Sequence, residues 1–368
     1  MIYPTGERVK LPLRCVFFCG AESPYGLAHL KPLLEEKRFT VIAVILATEE
    51  RWEIFRQILS GETTPGIGFS YPLLRGIMSV SRSPSLTILF RKLKNFKSIL
   101  RMKHAMPGTA KAVRLCKDAR IPVWFAYDVH CDDFVEKLRA IEPDLFVCAA
   151  YPQIFKRVFL DIPRFGAVNS HPSLLPRYRG AHPIFWAIAT GEKESGVTIH
   201  YMEERIDAGP IITQIRFSID ENDTYTDVYQ KAIACVPQAI RNLADFFESG
   251  HEDALPQNDD VATYYRQDRE IHHVIFWSLY GAEQIRNLVR AAGGRAFFWH
   301  GNKKVFVLKC RISESNRNLT NNVTVPDGTI VDVKNGIAVK VKDGVVTITD
   351  WRVDGGRKID LKVGQVLQ

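Results

Sequence analysis

Apolar residues over the first 250 positions fall into a repeating rhythm. Residues 13–19 form a short apolar run that ends in a glycine turn from Gly20 to Gly26. Leu27, Leu30, Leu33 and Leu34 then recur on one helical face, and residues 40–47 are apolar throughout. An unbroken apolar run of that length suits a strand buried on both sides. Strand, glycine turn, helix and strand in succession open a parallel α/β sheet. The same rhythm predicts helices over 110–119 and 132–141, with strands over 121–126 and 144–150. After residue 166 it predicts a short strand at 166–168, an apolar helix over 183–189, and strands over 196–202 and 211–217. A long helix over 224–248 carries Val228, Ala232, Val236, Ile240, Leu243 and Phe247 along one side, and Pro237 inside it predicts a kink or a break.

The pattern changes beyond residue 250. Residues 251–270 turn acidic and polar and read as a linker, followed by one helix over 272–292. Short β-rich runs come next, at 296–299, 305–311, 329–333, 337–341 and 345–353. They are divided by Gly301-Asn302, Pro326-Asp327-Gly328, Asn335-Gly336 and Asp343-Gly344. Hairpin signals at such short spacing predict a small antiparallel β-barrel. The expected fold class is α/β: an open, mostly parallel Rossmann-like sheet with helices on both faces over 1–250, then an OB-like barrel over 271–368.

Charge adds one feature. The chain carries a formal net charge of +8, while residues 51–118 alone hold thirteen Lys and Arg against three acidic residues, a local net of +10. The α/β rhythm breaks over 51–109, and Leu89, Leu93, Phe96 and Leu100 with cations between them predict a basic amphipathic helix over 86–102. A solvated helix packed on the body is one reading, and contact with a polyanion or a membrane surface is the other. No apolar run is long enough for a membrane span or a leader, and the seven cysteines show no metal spacing. Reduced, buried thiols in a cytoplasmic protein are expected.

The candidate chemistry lies in Asn169-Ser-His-Pro-Ser-Leu-Leu-Pro-Arg-Tyr-Arg-Gly180. Asn169 and His171 are two apart, so an extended chain puts them on one face, and Pro172 and Pro176 stiffen the segment after His171. No nucleophile elbow, HExxH or full G-x-G-x-x-G is present. The turn at Gly20 could cradle a phosphate or be structural. An Asn and a His, with an Asp such as Asp207 to hold the imidazole, suit stabilisation of an oxyanion under attack by a substrate nucleophile. The same residue types in a loop are more often turn chemistry, with Asn capping backbone N–H groups.

That twelve-residue stretch, with Pro183-Ile184, Gly196-Val-Thr-Ile-His200 and Ile206-Asp-Ala-Gly209, closely resembles the signature of the formyltransferase family that uses 10-formyltetrahydrofolate. The family includes enzymes acting on methionyl-tRNA, on amino sugars and on glycinamide ribonucleotide. A weaker resemblance continues through Ile275-Phe-Trp277, Ala282, Ile285 and Leu288-Val-Arg-Ala291, which look like the helix opening the C-terminal domain of the methionyl-tRNA and sugar enzymes.

The resemblance implies that Asn169, His171 and Asp207 are catalytic and that a primary amine attacks the formyl carbon. It implies a folate slot lined by Val147, Ala149, Ala150, Tyr151 and Ile154 and by Arg205 and Ile206, with no metal. Ser173, Pro176, Arg179 and Gly180 would shape the loop, Arg179 either contacting an acceptor anion or holding the loop. The acceptor would be initiator Met-tRNA, an amino-sugar nucleotide or another biosynthetic amine. Two departures bear on that choice: Thr48-Glu-Glu-Arg-Trp52 replaces the family's basic loop, and Ala292-Gly-Gly-Arg-Ala296 replaces a Pro-rich turn. Hydrolysis of the formyl donor, or a non-catalytic nucleic-acid or membrane binder, are the other functions compatible with the chain.

Overall fold

The computed structural model describes residues 9–21, 23–47, 107–126, 128–250, 254–313, 325–356 and 359–367. The expected basic helix over 86–102 and the departure at Thr48 to Trp52 lie outside these residues. Strand β1 (Leu13–Gly20) leads to Ser23, whose Oγ accepts the Gly26 N–H and caps helix α1 (Pro24–Ala28). A Cβ on Gly26 would stand 2.8 Å from both the Ala149 carbonyl oxygen and Cys19 Cβ, so packing alone requires this glycine. The single helix expected through Leu34 is instead two, α1 and α2 (Leu30–Glu35), meeting at His29. Pro32 supplies the reason: it lacks an N–H and its ring crowds the carbonyl four residues back.

Strand β2 (Phe39–Ala47), helix α3 (Pro107–Asp118), strand β3 (Val123–Ala126), helix α4 (Asp132–Ala140) and strand β4 (Leu145–Ala149) continue the rhythm. Then come α5 (Arg157–Leu160), β5 (Ala167–His171), β6 (Arg179–Gly180), α6 (Pro183–Ala189), β7 (Glu194–Tyr201), β8 (Ile211–Ser218) and α7 (Tyr225–Glu248). Helix α7 runs through Pro237 without the expected break. Val236, Ile240, Leu243 and Phe247 are buried along it, and that apolar stripe outweighs the roughly 3 kcal/mol a helix-interior proline costs.

A seven-stranded sheet takes the order β3-β2-β1-β4-β5-β7-β8. The β2–β3, β1–β2, β1–β4 and β4–β5 pairs are parallel and β5–β7 is antiparallel. On one face Val16, Phe18, Ala43, Ile45, Trp124 and Phe146 pack with Phe134 and Leu138 of α4 and Phe159 of α5. The alternate residues Cys15, Phe17, Val44, Leu145 and Val168 are buried as well, and Phe17 stacks on His29. Burial on both faces explains why these strands read as continuous apolar runs.

By contacts the chain divides into two compact units: residues 1–171, 197–215 and 233–258 form one, and residues 172–196, 216–232 and 259–368 the other. The second unit contains the parallel pair β6–β9, with β9 at Tyr264–Tyr265, and a five-stranded antiparallel sheet. That sheet has the order β10-β11-β14-β13-β12, from strands Phe297–His300, Lys303–Ile312, Gly344–Val353, Ile337–Val341 and Ile330–Asp332. The one helix expected over 272–292 is a 3-10 turn, Glu270–His273, and a separate helix α8 (Ala282–Ala292). Residues between them bond elsewhere: Ile275 N–H donates to the Phe297 carbonyl, and Asp343 accepts the Ala282 N–H at the start of α8. Among the described residues no helix is long and apolar enough to cross a membrane.

Candidate functional site

Strand β5 lies inside the sheet, parallel to β4 on one side and antiparallel to β7 on the other. Its alternation puts Asn169 and His171 on one face. The ladder sets His200 of β7 directly opposite Asn169. Asp207 reaches the same place from the loop between β7 and β8, with a left-handed backbone at φ +51°. Outside glycine, that conformation is most accessible to Asp and Asn, and it still stores strain.

Four side chains converge. Asp207 Oδ1 lies 3.4 Å from Asn169 Nδ2 and 3.5 Å from His200 Nε2, while Oδ2 lies 3.5 Å from His171 Nδ1. Asn169 Nδ2 is also 3.4 Å from His200 Nε2. His200 Nδ1 sits 2.7 Å from the Tyr201 carbonyl oxygen, which can only accept, so Nδ1 carries the proton. In neutral His200, Nε2 is then an acceptor turned toward the Asn169 amide. His171 and His200 are buried, and Asp207 keeps only 12% of its side-chain surface exposed. Long contacts of this kind are common in unliganded sites and tighten around a substrate.

The loop holding Asp207 is anchored by a residue the sequence did not single out. Gln257 Nε2 donates to the carbonyls of Asp207 and Gly209, at 2.9 and 2.7 Å. Gly209 has no room for a side chain, since a Cβ there would lie 2.0 Å from the Tyr201 carbonyl oxygen. His200 was visible in the sequence as the end of an apolar strand and of one signature segment, but was given no role; only the ladder shows that it stands opposite Asn169. Gln257 gave none, lying in a polar stretch.

The residues expected to line a folate slot differ in burial. Val147 and Ala149 are buried in β4, so their side chains belong to the core and only their backbone can meet a ligand. Ala150 follows with φ +48°, and its carbonyl accepts the Gly20 N–H. Among the described residues the Tyr151 hydroxyl is buried without a hydrogen-bond partner, and burial holds its pKa well above the ordinary tyrosine value. Ile154 and Ile206 are large apolar side chains left 62% and 47% exposed, and Arg205 is exposed. At this strand end burial pushes the Cys148 thiol pKa up, and the Asp207 carboxylate adds to the shift.

In the second unit, the segment that follows His171 in the chain is held rigidly. Ser173 Oγ donates to the Arg177 carbonyl, and the Pro176 carbonyl accepts the Thr263 N–H. Arg179 is fully buried, pairs with Asp259 at 2.9 Å and donates to the Tyr264 hydroxyl at 2.6 Å. These contacts are of the kind that the loop-holding role requires. Gly180 at φ +94° lies against Tyr265, whose carbonyl oxygen would be 2.2 Å from a Cβ. Among the described residues no group of three His, Cys, Asp or Glu could hold a metal ion.

An amide and an imidazole on one strand face, with a carboxylate shared between them, can donate two hydrogen bonds to one developing oxyanion. Comparison with known proteins bears on the family. Residues 90–241 match the family described as formyl transferase, and residues 272–363 match formyl transferase, C-terminal domain. The methionyl-tRNA formyltransferase of Macrococcus caseolyticus is 32% identical over 295 residues, 79% of this chain and 90% of that protein. That of Pelobacter propionicus is 32% identical over 261 residues, 69% of this chain and 77% of that protein. In fold, the N-formyltransferase from Helicobacter canadensis, solved in complex with folinic acid and dTDP-3-aminofucose, matches with a TM-score of 0.55. The match covers 91% of this chain and 97% of that one, at 17% identity. On its sequence matches over both domains and its place among these relatives, the chain belongs to the formyltransferase family.

Proposed function

We propose that this transferase moves the formyl group of 10-formyltetrahydrofolate to the primary amine of initiator methionyl-tRNA, with Asn169, His171 and Asp207 as its catalytic residues. The observation that carries the reading is the convergence of these three side chains around the Asp207 carboxylate. The donor supplies an activated formyl carbon. Asn169 Nδ2–H and the His171 Nε2–H would donate to the formyl oxygen as negative charge gathers there. Asp207, facing His171 Nδ1, would hold the imidazole charged and oriented. As the new N–C bond forms, the amine must lose a proton, and the departing folate nitrogen must gain one. Asp207 and His171 would move it.

Tyr151, Ile154, Arg205 and Ile206 would hold the folate, along with the backbone from Val147 to Ala150. An exposed isoleucine on each segment and an unpaired buried hydroxyl suit a flat, partly apolar ring system with polar edges. Residues 1–250 would carry the chemistry and residues 271–368 the OB-like domain, joined through 251–270. The +10 segment at 51–118 would meet the tRNA phosphates. The protein would work in the cytoplasm, with its cysteines reduced.

An amino-sugar nucleotide is the second acceptor, favoured by Thr48-Glu-Glu-Arg-Trp52 in place of the basic loop. One experiment separates the readings: labelled 10-formyltetrahydrofolate incubated with initiator Met-tRNA, with amino-sugar nucleotides, and with water alone. Label on Met-tRNA supports the proposal, and label on the sugar alone selects the second acceptor. Label found only as free formate discards transfer in favour of hydrolysis.

A further inference from the structure

Between the two proposed oxyanion donors stands a residue that faces the other way. Ser170 lies between Asn169 and His171 on β5, so its hydroxyl projects from the opposite face of the sheet. There it is buried, yet fully partnered: Oγ lies 2.8 Å from His29 Nε2 and 2.9 Å from the Tyr25 hydroxyl. His29 Nδ1 lies 2.9 Å from the Tyr25 carbonyl oxygen, an acceptor only, so Nδ1 bears the proton. Burial lowers the His29 pKa to about 4, which leaves Nε2 bare near neutrality. Every direction is then fixed. The Tyr25 O–H donates to Ser170, the Ser170 O–H donates to His29 Nε2, and the His29 Nδ1–H returns to the Tyr25 backbone.

We propose that Ser170, His29 and Tyr25 form a closed hydrogen-bonded ring that clamps the end of β5 from behind and so positions Asn169 and His171 for formyl transfer. The proposal rests on the formyl-transfer reading of the site. An apolar side chain at position 170 would satisfy burial but leave the strand's twist to packing alone, whereas directional bonds to a helix fix it. That helix is itself immobilised, because Gly26 places its backbone directly against Ala149 and Cys19. The three residues are positioning residues, since none faces the donor side of the strand.

The test compares Ser170→Ala, Ser170→Thr, His29→Phe and the Ser170→Ala/His29→Phe double variant with the parent, well below each variant's Tm. Two readouts are taken: steady-state formyl transfer, and imidazole 15N NMR titration of His171, assigned with His171→Asn. Ser170→Ala and His29→Phe should each lower kcat about tenfold, with KM for the formyl donor within about twofold. The double variant should be no slower than either single one, and Ser170→Thr should recover the parent rate to within about twofold. The His171 titration midpoint should move in Ser170→Ala and not in Ser170→Thr. An unmoved midpoint, with kcat within about twofold of the parent in both single variants, overturns the proposal and leaves the ring as core packing. Should the parent transfer no formyl group to any acceptor, the functional reading fails. The His171 titration still decides the clamp, and an unmoved midpoint overturns it.

Discussion

His200 stands directly opposite Asn169 in the antiparallel ladder, with Nε2 3.4 Å from the Asn169 amide nitrogen. Its other nitrogen is committed to the Tyr201 carbonyl, so in the neutral ring Nε2 is the acceptor that faces Asn169. That acceptor orients the amide with its N–H groups, and not its oxygen, toward the acidic centre of the site. His200→Ala should therefore lower kcat about tenfold while leaving KM for the formyl donor nearly unchanged. Steady-state kinetics with either acceptor checks this, and an unchanged kcat would mean that Asn169 is oriented without His200.

Gln257 holds the Asp207 loop through two carbonyls. Gln257→Ala removes both bonds, worth about 1 kcal/mol each, and frees a residue kept in a left-handed conformation. The expected outcome is a drop of about tenfold in kcat/KM, with faster amide exchange confined to the loop between β7 and β8. Hydrogen exchange read by mass spectrometry makes the measurement, and exchange unchanged in that loop would contradict it.

His29 gives stability a pH dependence of known sign. Its pKa falls from 6.5 to about 4 because folding buries the ring. The unfolded chain therefore binds the extra proton between those values. The contribution of neutral His29 is complete above about pH 6.5 and is lost as pH falls toward 4, by about 3 kcal/mol in all. Urea midpoints at pH 7 and pH 4.5 should differ more for the parent than for His29→Phe, and equal differences would show that His29 is not neutral in the fold.

Arg179 separates a structural arginine from a substrate-binding one. Because it is buried against Asp259 and Tyr264, Arg179→Met should lower the Tm by several degrees. A rise in acceptor KM with an unchanged Tm would restore the anion-binding role.

Much of this was legible along the chain. Continuous apolar runs marked the parallel strands, and the Asn169-x-His171 spacing on an extended segment put two donors on one face. The signature around them brought in Asp207. Other features were illegible for physical reasons. The break at His29 depends on where Pro32 falls within a turn, which the leucine spacing conceals. Helix α8 begins at Ala282 because Asp343, sixty-one residues away in the chain, accepts its first N–H. Of the kink or break expected at Pro237, the break does not occur, because the proline's local cost is outweighed by a buried stripe. Arg179 was left between contacting an acceptor anion and holding its loop, and its burial against Asp259 and Tyr264 could not be read from the sequence. The clamp behind β5 was hidden entirely, since a serine, a tyrosine and a histidine far apart in the sequence give no periodic signal.

The central claim is that Asn169 stabilises the oxyanion of formyl transfer, and the most direct measurement is the single-turnover rate of Asn169→Ala with saturating 10-formyltetrahydrofolate and acceptor. Loss of one such donor costs about 3–4 kcal/mol, so the rate should fall by about 10²–10³ while the Tm stays near that of the parent. A rate within about tenfold of the parent would contradict the account.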